Sequence, residues 1–187
     1  MFPLFVQAQN NAARIDQIGN DNNGSVEQTG SAQWAGIYQQ SGLFPFGTNR
    51  AALSQNGSCN IAYVAQVQVL GFGDNSADIT QTNSNNFAAV IQKGSGNESS
   101  VVQDGWDNHL EVSLLGRSIF AELNQNGTGN RINQQLSGEG LEFTLIQNGN
   151  NNSLTQIEDG TAARNYTVIQ NGNGMNVKVV QSNIFRN

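Results

Sequence analysis

The side chains that could act as acids, bases or metal ligands are few in this sequence, and one small group of them lies close together. His109, the only histidine, is near Asp104, Asp107 and Glu111. A histidine among carboxylates can transfer protons or bind a metal ion. The turn residues between these positions leave them without the spacing of a metal-ligand set. We therefore interpret His109 as a solvated surface residue and predict no catalytic, metal or cofactor site.

No other motif in the chain indicates an enzyme. The sequence has no nucleophile elbow, no phosphate-binding loop and no pair of carboxylates placed for acid–base chemistry. Cys59 is the only cysteine, so a disulfide within the chain is excluded. Its place in a turn leaves two interpretations open, an incidental turn residue or a crosslink between molecules. The sequence predicts a protein that is not an enzyme.

What does recur is an eleven-residue unit, which is most regular between Asn86 and Asn108. The segment reads NFAAVIQKGSG and then NESSVVQDGWD, and Asn108 begins the next copy. We number the positions of a unit from 1 to 11, with Asn86, Asn97 and Asn108 at position 1. Residue types alternate over seven positions before a turn marked by glycine, which is typical of a β-strand. Two units make about 22 residues, enough for one coil of a flattened solenoid.

Fifteen such units extend from residue 11 to residue 181, and every step between Asn75 and Asn152 is eleven residues. Insertions fall at 44–48 and 71–74, and one additional residue lies near Ala163. Insertions in turns leave the strands on either side in register. The sequence therefore predicts an all-β fold, a parallel β-solenoid of about 7–8 coils with two strands per coil. Segment 1–10 is either a disordered tail or a signal-peptide remnant, and 182–187 is a tail.

The odd positions of the unit are predicted to face the interior. Position 3 is mostly small or apolar, position 5 is isoleucine, valine or leucine in thirteen of fifteen units, and position 7 is glutamine in twelve. The charged residues of the strands stand at even positions, apart from Glu158 and Arg164 near Ala163. Because alternate residues of a strand face opposite sides, the odd positions must form the core.

Parallel stacking of the coils would place identical residues above one another, about 4.8 Å apart. Asparagine and glutamine are then expected to form amide ladders, in which each side chain donates to one neighbour and accepts from the other. Such pairing offsets the cost of burying amides. Glycine at position 9 fits a turn with positive φ. The ladder residues predicted in the regular part of the chain are Asn86, Gln92, Asn97, Gln103, Asn108, Gln125, Asn130, Gln147 and Asn152.

The composition argues against two classes of partner. The chain has 28 asparagines and 20 glutamines, whereas 12% of its residues are charged. The net charge of −6 and the pI near 4.5 argue against nucleic acid, which attracts basic patches. No apolar run approaches the roughly 18 residues that a membrane-spanning helix needs. The sequence therefore predicts neither nucleic-acid binding nor a membrane span.

The repeated pattern N-x-A-x-V-x-Q-x-G-x-x resembles the curlin repeat of bacterial curli subunits, over nearly all of the chain after Gln9. Segments 49–57 and 89–97 are most similar to the minor, nucleator-type curlin. The resemblance implies a major or nucleator-like subunit of an extracellular functional amyloid fibre that serves biofilm formation and surface adhesion. It also implies a partner curlin and export through an outer-membrane channel with accessory proteins. The apolar residues that depart from the ladder pattern are Leu114, Ile119, Leu136 and Leu141.

The first and the last unit keep the strand pattern, and the flanking segments look too short for a helical cap. Open strand edges pair readily with other chains. Subunits are therefore expected to stack head to tail, and because fifteen is odd, half-coils must meet at the junction. The residues predicted to make this subunit contact are Ile15, Gln17, Val179 and Gln181.

A monomeric β-solenoid that binds ice or carbohydrate is the alternative function. Ice-binding solenoids usually present an outward ladder of threonine, and threonine is sparse at the outward positions here. The aromatic residues Trp34, Phe72, Phe87 and Trp106 fall mostly at even or turn positions. They are either scattered surface residues or a lateral contact between fibrils, and the sequence leaves both interpretations open.

Overall fold

A computed structural model describes residues 10–42, 47–68, 73–160 and 163–182. Residues 1–9 of the predicted N-terminal segment and residues 183–187 of the predicted tail lie outside the described residues. Residues 43–46 and 69–72, which include parts of both predicted insertions and Phe72, also lie outside them, as do residues 161–162.

Every regular element of the described residues is a β-strand, and each predicted unit contains one strand. None of the described segments forms a helix that is long and apolar enough to cross a membrane. The all-β prediction is confirmed. The strands are β1 (Ala12–Ile18), β2 (Asn22–Ser31), β3 (Trp34–Gln40), β4 (Asn49–Ser58), β5 (Ile61–Val67), β6 (Asn75–Ser84), β7 (Phe87–Ser95), β8 (Glu98–Trp106), β9 (His109–Arg117), β10 (Phe120–Thr128), β11 (Arg131–Glu139), β12 (Leu141–Asn150), β13 (Ser153–Gly160), β14 (Arg164–Asn173) and β15 (Asn176–Ser182).

The strands alternate between two parallel sheets, so that two successive strands complete one coil. The odd-numbered strands form an eight-stranded sheet in the order β1 to β15, and the even-numbered strands form a seven-stranded sheet from β2 to β14. Leu123 of β10 pairs with Val101 of β8 and with Leu145 of β12, each 22 residues away. Pairing at this separation confirms the parallel solenoid with about 22 residues per coil.

The insertions change the separation between paired strands but not the residue types that meet. Across the first insertion Leu53 pairs with Val26, and across the second it pairs with Ile79. Across the additional residue near Ala163, Leu145 pairs with Val168. Position 5 therefore stays aligned along the solenoid, because the added residues fall between strands in the sequence.

The core consists of the odd positions. In β8 the burial alternates along the strand, with Ser99, Val101 and Gln103 buried and Glu98 exposed. Phe143, at position 3 of β12, is fully buried. A shift of one residue would turn the charged even positions inward, so the register is strongly determined. The described coils contain one continuous apolar core flanked by buried amides.

Glycine at position 9 is required by both conformation and space. Gly127 has φ 121°, and a Cβ at this residue would lie 2.0 Å from the carbonyl oxygen of Gly149 on the next coil. Position 11 is also left-handed, with φ 57° at Asp107 and 55° at Asn151. The sequence analysis did not predict this second left-handed position, although glycine, asparagine and aspartate recur there and tolerate positive φ.

Candidate functional site

The glutamines of the seven-stranded sheet form one uninterrupted ladder. Each side-chain nitrogen donates to the side-chain oxygen of the glutamine on the next coil, at N···O distances of 2.7–2.9 Å. Gln103 also donates to the carbonyl oxygen of Phe87 on the facing sheet, at 2.9 Å. The ladder therefore connects coil to coil and sheet to sheet. Its members are Gln28, Gln55, Gln81, Gln103, Gln125, Gln147 and Gln170.

The glutamine ladder of the eight-stranded sheet is shorter. It extends from Gln17 to Gln92, with N···O distances of 2.8–2.9 Å. Leu114 and Leu136 occupy the next two places and are fully buried. These leucines extend the apolar core toward the C-terminal coils, where apolar packing replaces amide pairing.

The asparagines at position 1 bond mainly to the backbone rather than to one another. The Oδ1 atom of Asn108 accepts the backbone N–H of Asn130 at 3.0 Å, and its Nδ2 atom donates to the carbonyl of Gly127 at 3.0 Å. The asparagine side chain is short and lies beside the turn, where the Gly127 carbonyl and the Asn130 N–H are within its reach. The expectation of amide-to-amide bonds is therefore corrected for the residues that repeat this arrangement, Asn86, Asn97, Asn108, Asn130 and Asn152.

Among the asparagines at position 1, amide-to-amide bonds occur near the N-terminal end. Asn49 donates to Asn22 at 3.0 Å, and Asn75 donates to Asn49 at 3.1 Å. Both kinds of bond connect neighbouring coils, so a polar interior is compatible with a stable fold. In the described part of the chain, the buried side-chain atoms without a hydrogen bond are Gln33 Oε1, Ser95 Oγ and Gln134 Oε1.

A buried ionic cluster replaces the glutamine ladder near the C-terminal end. The Glu158 side chain is fully buried at position 7, and its carboxylate lies 3.2 Å from a guanidinium nitrogen of Arg164. Tyr166 donates its hydroxyl to Glu158 and accepts a hydrogen bond from Gln156 at 2.9 Å. Burial, followed by the contact with the Glu158 carboxylate, raises the pKa of the Tyr166 hydroxyl above its usual range. The two charged residues that break the even-position rule therefore form a pair.

The solenoid has an open strand edge on each sheet at both ends. β1 and β2 are the edge strands at one end, and β14 and β15 are those at the other. Of the residues predicted to make the subunit contact, Ile15 is 42% exposed, Gln17 and Gln181 are exposed and Val179 is half-buried. Within the described residues, no further strand pairs with these edges.

The direction of the backbone groups at each edge follows from the pairing inside the molecule. The N–H of Ala12 donates to the Gln33 carbonyl, and directions alternate along a parallel strand, so the N–H of Ile15 points to the open side of β1. At the other end the Met175 carbonyl accepts from Ser153, so the N–H of Val180 points to the open side of β15. Within the molecule, backbone groups at even positions of one strand bond to backbone groups at odd positions of the strand on the next coil. The open edge of β15 presents even positions and the open edge of β1 presents odd positions, so the two edges are complementary in the same way.

The group around His109 lies on the outer surface. His109 contacts Glu111 at 3.0 Å, and its ring stacks on Phe87 with 4.6 Å between the ring centroids. The described residues contain no group of three or more histidine, cysteine or acidic side chains that could hold a metal ion. Cys59 is exposed in a left-handed turn. These side chains do not converge on a common point.

The family comparison bears on the repeat itself. The model of the curlin associated repeat family matches residues 74–105. This segment contains β6, β7 and nearly all of β8. Ile79 and Gln81 of β6 pair with Val101 and Gln103 of β8, and Asn83 stands opposite Gly105. The chain contains the curlin repeat. The predicted resemblance to the curlin family is confirmed by this match.

The curlin repeat indicates a structural subunit of the curli type, and curlins as a family are structural proteins rather than enzymes. The curlin family forms extracellular surface fibres by self-assembly. Comparisons with curated proteins and with solved structures found no match. Within each sheet, the pairing of like unit positions continues from the matched segment to the coils on both sides.

Proposed function

We propose that this chain is a structural subunit of an extracellular, curli-like functional amyloid fibre that contributes to a biofilm matrix and to surface adhesion. The subunits join by end-to-end stacking of their solenoids. The observation that supports this proposal best is the relation between the two ends. Each presents unpaired backbone groups in the arrangement that the opposite end of a second copy requires.

The glutamine ladders give the two ends opposite hydrogen-bonding character. At the N-terminal end, the Oε1 atoms of Gln17 and Gln28 are the ladder acceptors that receive no amide donor from within the described residues. At the C-terminal end, Gln170 donates to the Ser153 carbonyl, and its strand β14 is the last of the described strands in its sheet. Head-to-tail stacking would therefore continue the ladders, since a donor end meets an acceptor end.

The odd number of strands sets which strands meet at the junction. β15 completes a half-coil above β13, so the next copy would place its β1 on β14 and its β2 on β15. Gln17 of that copy would then lie above Gln170, and Gln28 above Gln181. The side chains at position 3 also complement each other, because the bulky Tyr166 would meet the small Ala13.

Partners and location follow from the proposed role. The main partner is another copy of this chain, and a nucleator or major curlin is a second. Export through an outer-membrane channel with accessory proteins would deliver the chain to the cell surface. A monomeric binding solenoid is the competing function, and stable monomers at micromolar concentration over days would favour it over the fibre.

Proline substitution at the open edges tests the junction. Ile15→Pro and Val180→Pro each remove an N–H that points away from the molecule, whereas the Val179 N–H points toward β13. The double variant should keep the far-UV circular dichroism of the folded chain but elongate wild-type seeds at least tenfold more slowly in thioflavin fluorescence. The control is Ile15→Ala with Val180→Ala, which keeps both donors. Elongation of the proline variant at the control rate would contradict the proposed junction.

A further inference from the structure

The two outer faces of the solenoid differ in chemistry. The outward side of the seven-stranded sheet, here called the acidic face, has six carboxylates and one arginine, all exposed. The outward side of the eight-stranded sheet has five cations and four carboxylates, so its charge is nearly balanced. The charged residues of the acidic face are Glu27, Arg50, Asp78, Glu98, Asp104, Glu122 and Glu142. Those of the opposite face are Arg14, Asp16, Lys93, Glu111, Arg117, Arg131, Glu139, Asp159 and Lys178.

Large apolar side chains are concentrated on the nearly neutral side between β3 and β9, here called the aromatic face. Ile61, Ile91 and Leu115 are 41%, 48% and 50% exposed. Phe87 stacks on His109 within the same area. Contiguous exposed apolar surface of this kind marks an interaction site more often than scattered single residues do.

One part of the aromatic face is held in a fixed shape. The indole ring of Trp34 lies over Gly36, where a Cβ would come within 2.4 Å of the ring. Trp34 also stacks against Tyr63, with 6.3 Å between the ring centroids. Gly36 therefore creates the space that the indole fills, and the aromatic surface is ordered before any partner arrives.

The centre of the aromatic face alternates large and small residues in two adjacent columns. Gly36, Tyr63 and Ala89 pair along one column. The neighbouring column has the opposite order, with Tyr38 and Ile91 on either side of Ala65. The hollows at Ala65 and Ala89 thus lie beside the projections of Tyr63 and Ile91, whereas the space over Gly36 is filled by the Trp34 indole. Two identical surfaces with this pattern can interdigitate, as the facing sheets of amyloid do.

We propose that two filaments of this protein pair through their aromatic faces and leave their acidic faces in solvent. This inference rests on the proposed fibre function, because the pairing acts between filaments. The central part of the aromatic face has few charges, so pairing brings little like charge together. The acidic faces repel one another at moderate salt, which limits the assembly to two filaments instead of a thick bundle.

The size of the aromatic face explains why filaments rather than single molecules would pair. Four strands of seven residues cover roughly 19 Å by 23 Å, or about 440 Å² per molecule. Two copies would bury about 900 Å², below the 1,600 Å² or so that is usual for a stable complex. Along a filament the contact repeats with every subunit, so weak single contacts add up. Isolated molecules should therefore remain unpaired.

Electron microscopy of purified filaments tests the pairing by the number of filaments side by side. Ile91→Glu places a carboxylate in the centre of the aromatic face, and Val102→Glu places one at the same unit position of the acidic face. Wild-type and Val102→Glu filaments should be paired, whereas Ile91→Glu should give single filaments with an unchanged elongation rate. Both side chains point outward and are more than one third exposed, so folding is preserved in each.

Three results would overturn the inference in distinguishable ways. Single wild-type filaments would show that the aromatic face does not pair copies of this chain, even if it bound a polysaccharide. Paired Ile91→Glu filaments would show that pairing uses another surface. The absence of any wild-type filament would reject the fibre function, and the pairing with it. High salt offers a further check, since screening of the acidic faces should convert pairs into wider bundles.

Discussion

Replacing Gln103 by leucine would interrupt the complete glutamine ladder at its centre. Gln103 is fully buried and takes part in three hydrogen bonds, two to neighbouring glutamines at 2.8 Å and one to the Phe87 carbonyl at 2.9 Å. Leucine fills a similar volume, and Leu114 shows that the fold accepts it at this position. The Gln125 oxygen would lose its amide donor. The Gln81 nitrogen would lose its glutamine acceptor and keep its bond to the Ile61 carbonyl.

The cost follows from these losses. Three bonds contribute about 1 kcal/mol each, the orphaned Gln125 oxygen costs about 1–3 kcal/mol, and burial of leucine offsets part of the sum. We expect the free energy of unfolding to fall by about 2–3 kcal/mol, measured by guanidinium denaturation followed by circular dichroism. The control Asn126→Leu, at an exposed outward position, should change it by less than about 0.5 kcal/mol.

A double variant separates the ladder from general packing. Gln103→Leu and Gln125→Leu each orphan one amide oxygen, but together they orphan only that of Gln147. The double variant should therefore cost about 1–3 kcal/mol less than the sum of the single variants. Strict additivity, or a Gln103→Leu cost no larger than that of Asn126→Leu, would refute the claim that the ladder stabilises the core.

Three further predictions concern the core, the turns and the C-terminal cluster. Val101→Asp should prevent folding, as judged by circular dichroism, because it buries an unpaired charge, whereas Glu98→Lys on the exposed side should fold normally. Gly127→Ala should lower the free energy of unfolding by about 3 kcal/mol or more, because the residue has a positive φ and the added Cβ would clash with the Gly149 carbonyl. The control Gly42→Ala should be nearly neutral in the same denaturation assay, because its Cβ would meet no atom within 4 Å. Burial raises the pKa of the Tyr166 hydroxyl in the folded state, so the unfolded state releases this proton first as the pH rises above about 10. The free energy of unfolding should therefore fall above that pH. In a pH series of unfolding midpoints, Tyr166→Phe should reduce that fall.

The repeat made the architecture predictable from the sequence. Alternation assigned the strands, and the constant step of eleven residues assigned the coil, so the pairing of Val101 with Leu123 follows from counting. The inward direction of the glutamines also follows, since residues two apart share a face. These features depend on the alternation of residue types and on the constant length of the unit, and both can be read from a single sequence.

The parts that could not be predicted depend on three-dimensional neighbours. The backbone partners of Asn108 become visible only when the turn carbonyls of the next strand are placed. Glu158 and Arg164 could be recognised as exceptions, but their pairing depends on the path of the chain around the additional residue near Ala163. The sequence left open whether the aromatic residues are scattered or form one contact surface. The position of the Trp34 ring over Gly36 depends on side-chain conformation, which the sequence pattern does not contain.

The mass per length of a filament, measured by scanning transmission electron microscopy, tests end-to-end stacking most directly. One subunit of 20.0 kDa occupies seven and a half coils, or roughly 36 Å of axis, which gives about 0.55 kDa per Å for a single filament and twice that for a pair. A filament in which each chain lies flat in one layer would instead contain one subunit per 4.8 Å or so, about 4 kDa per Å. A value near the first figure or its double is the expected result, and a value near the second would contradict the stacking of intact solenoids.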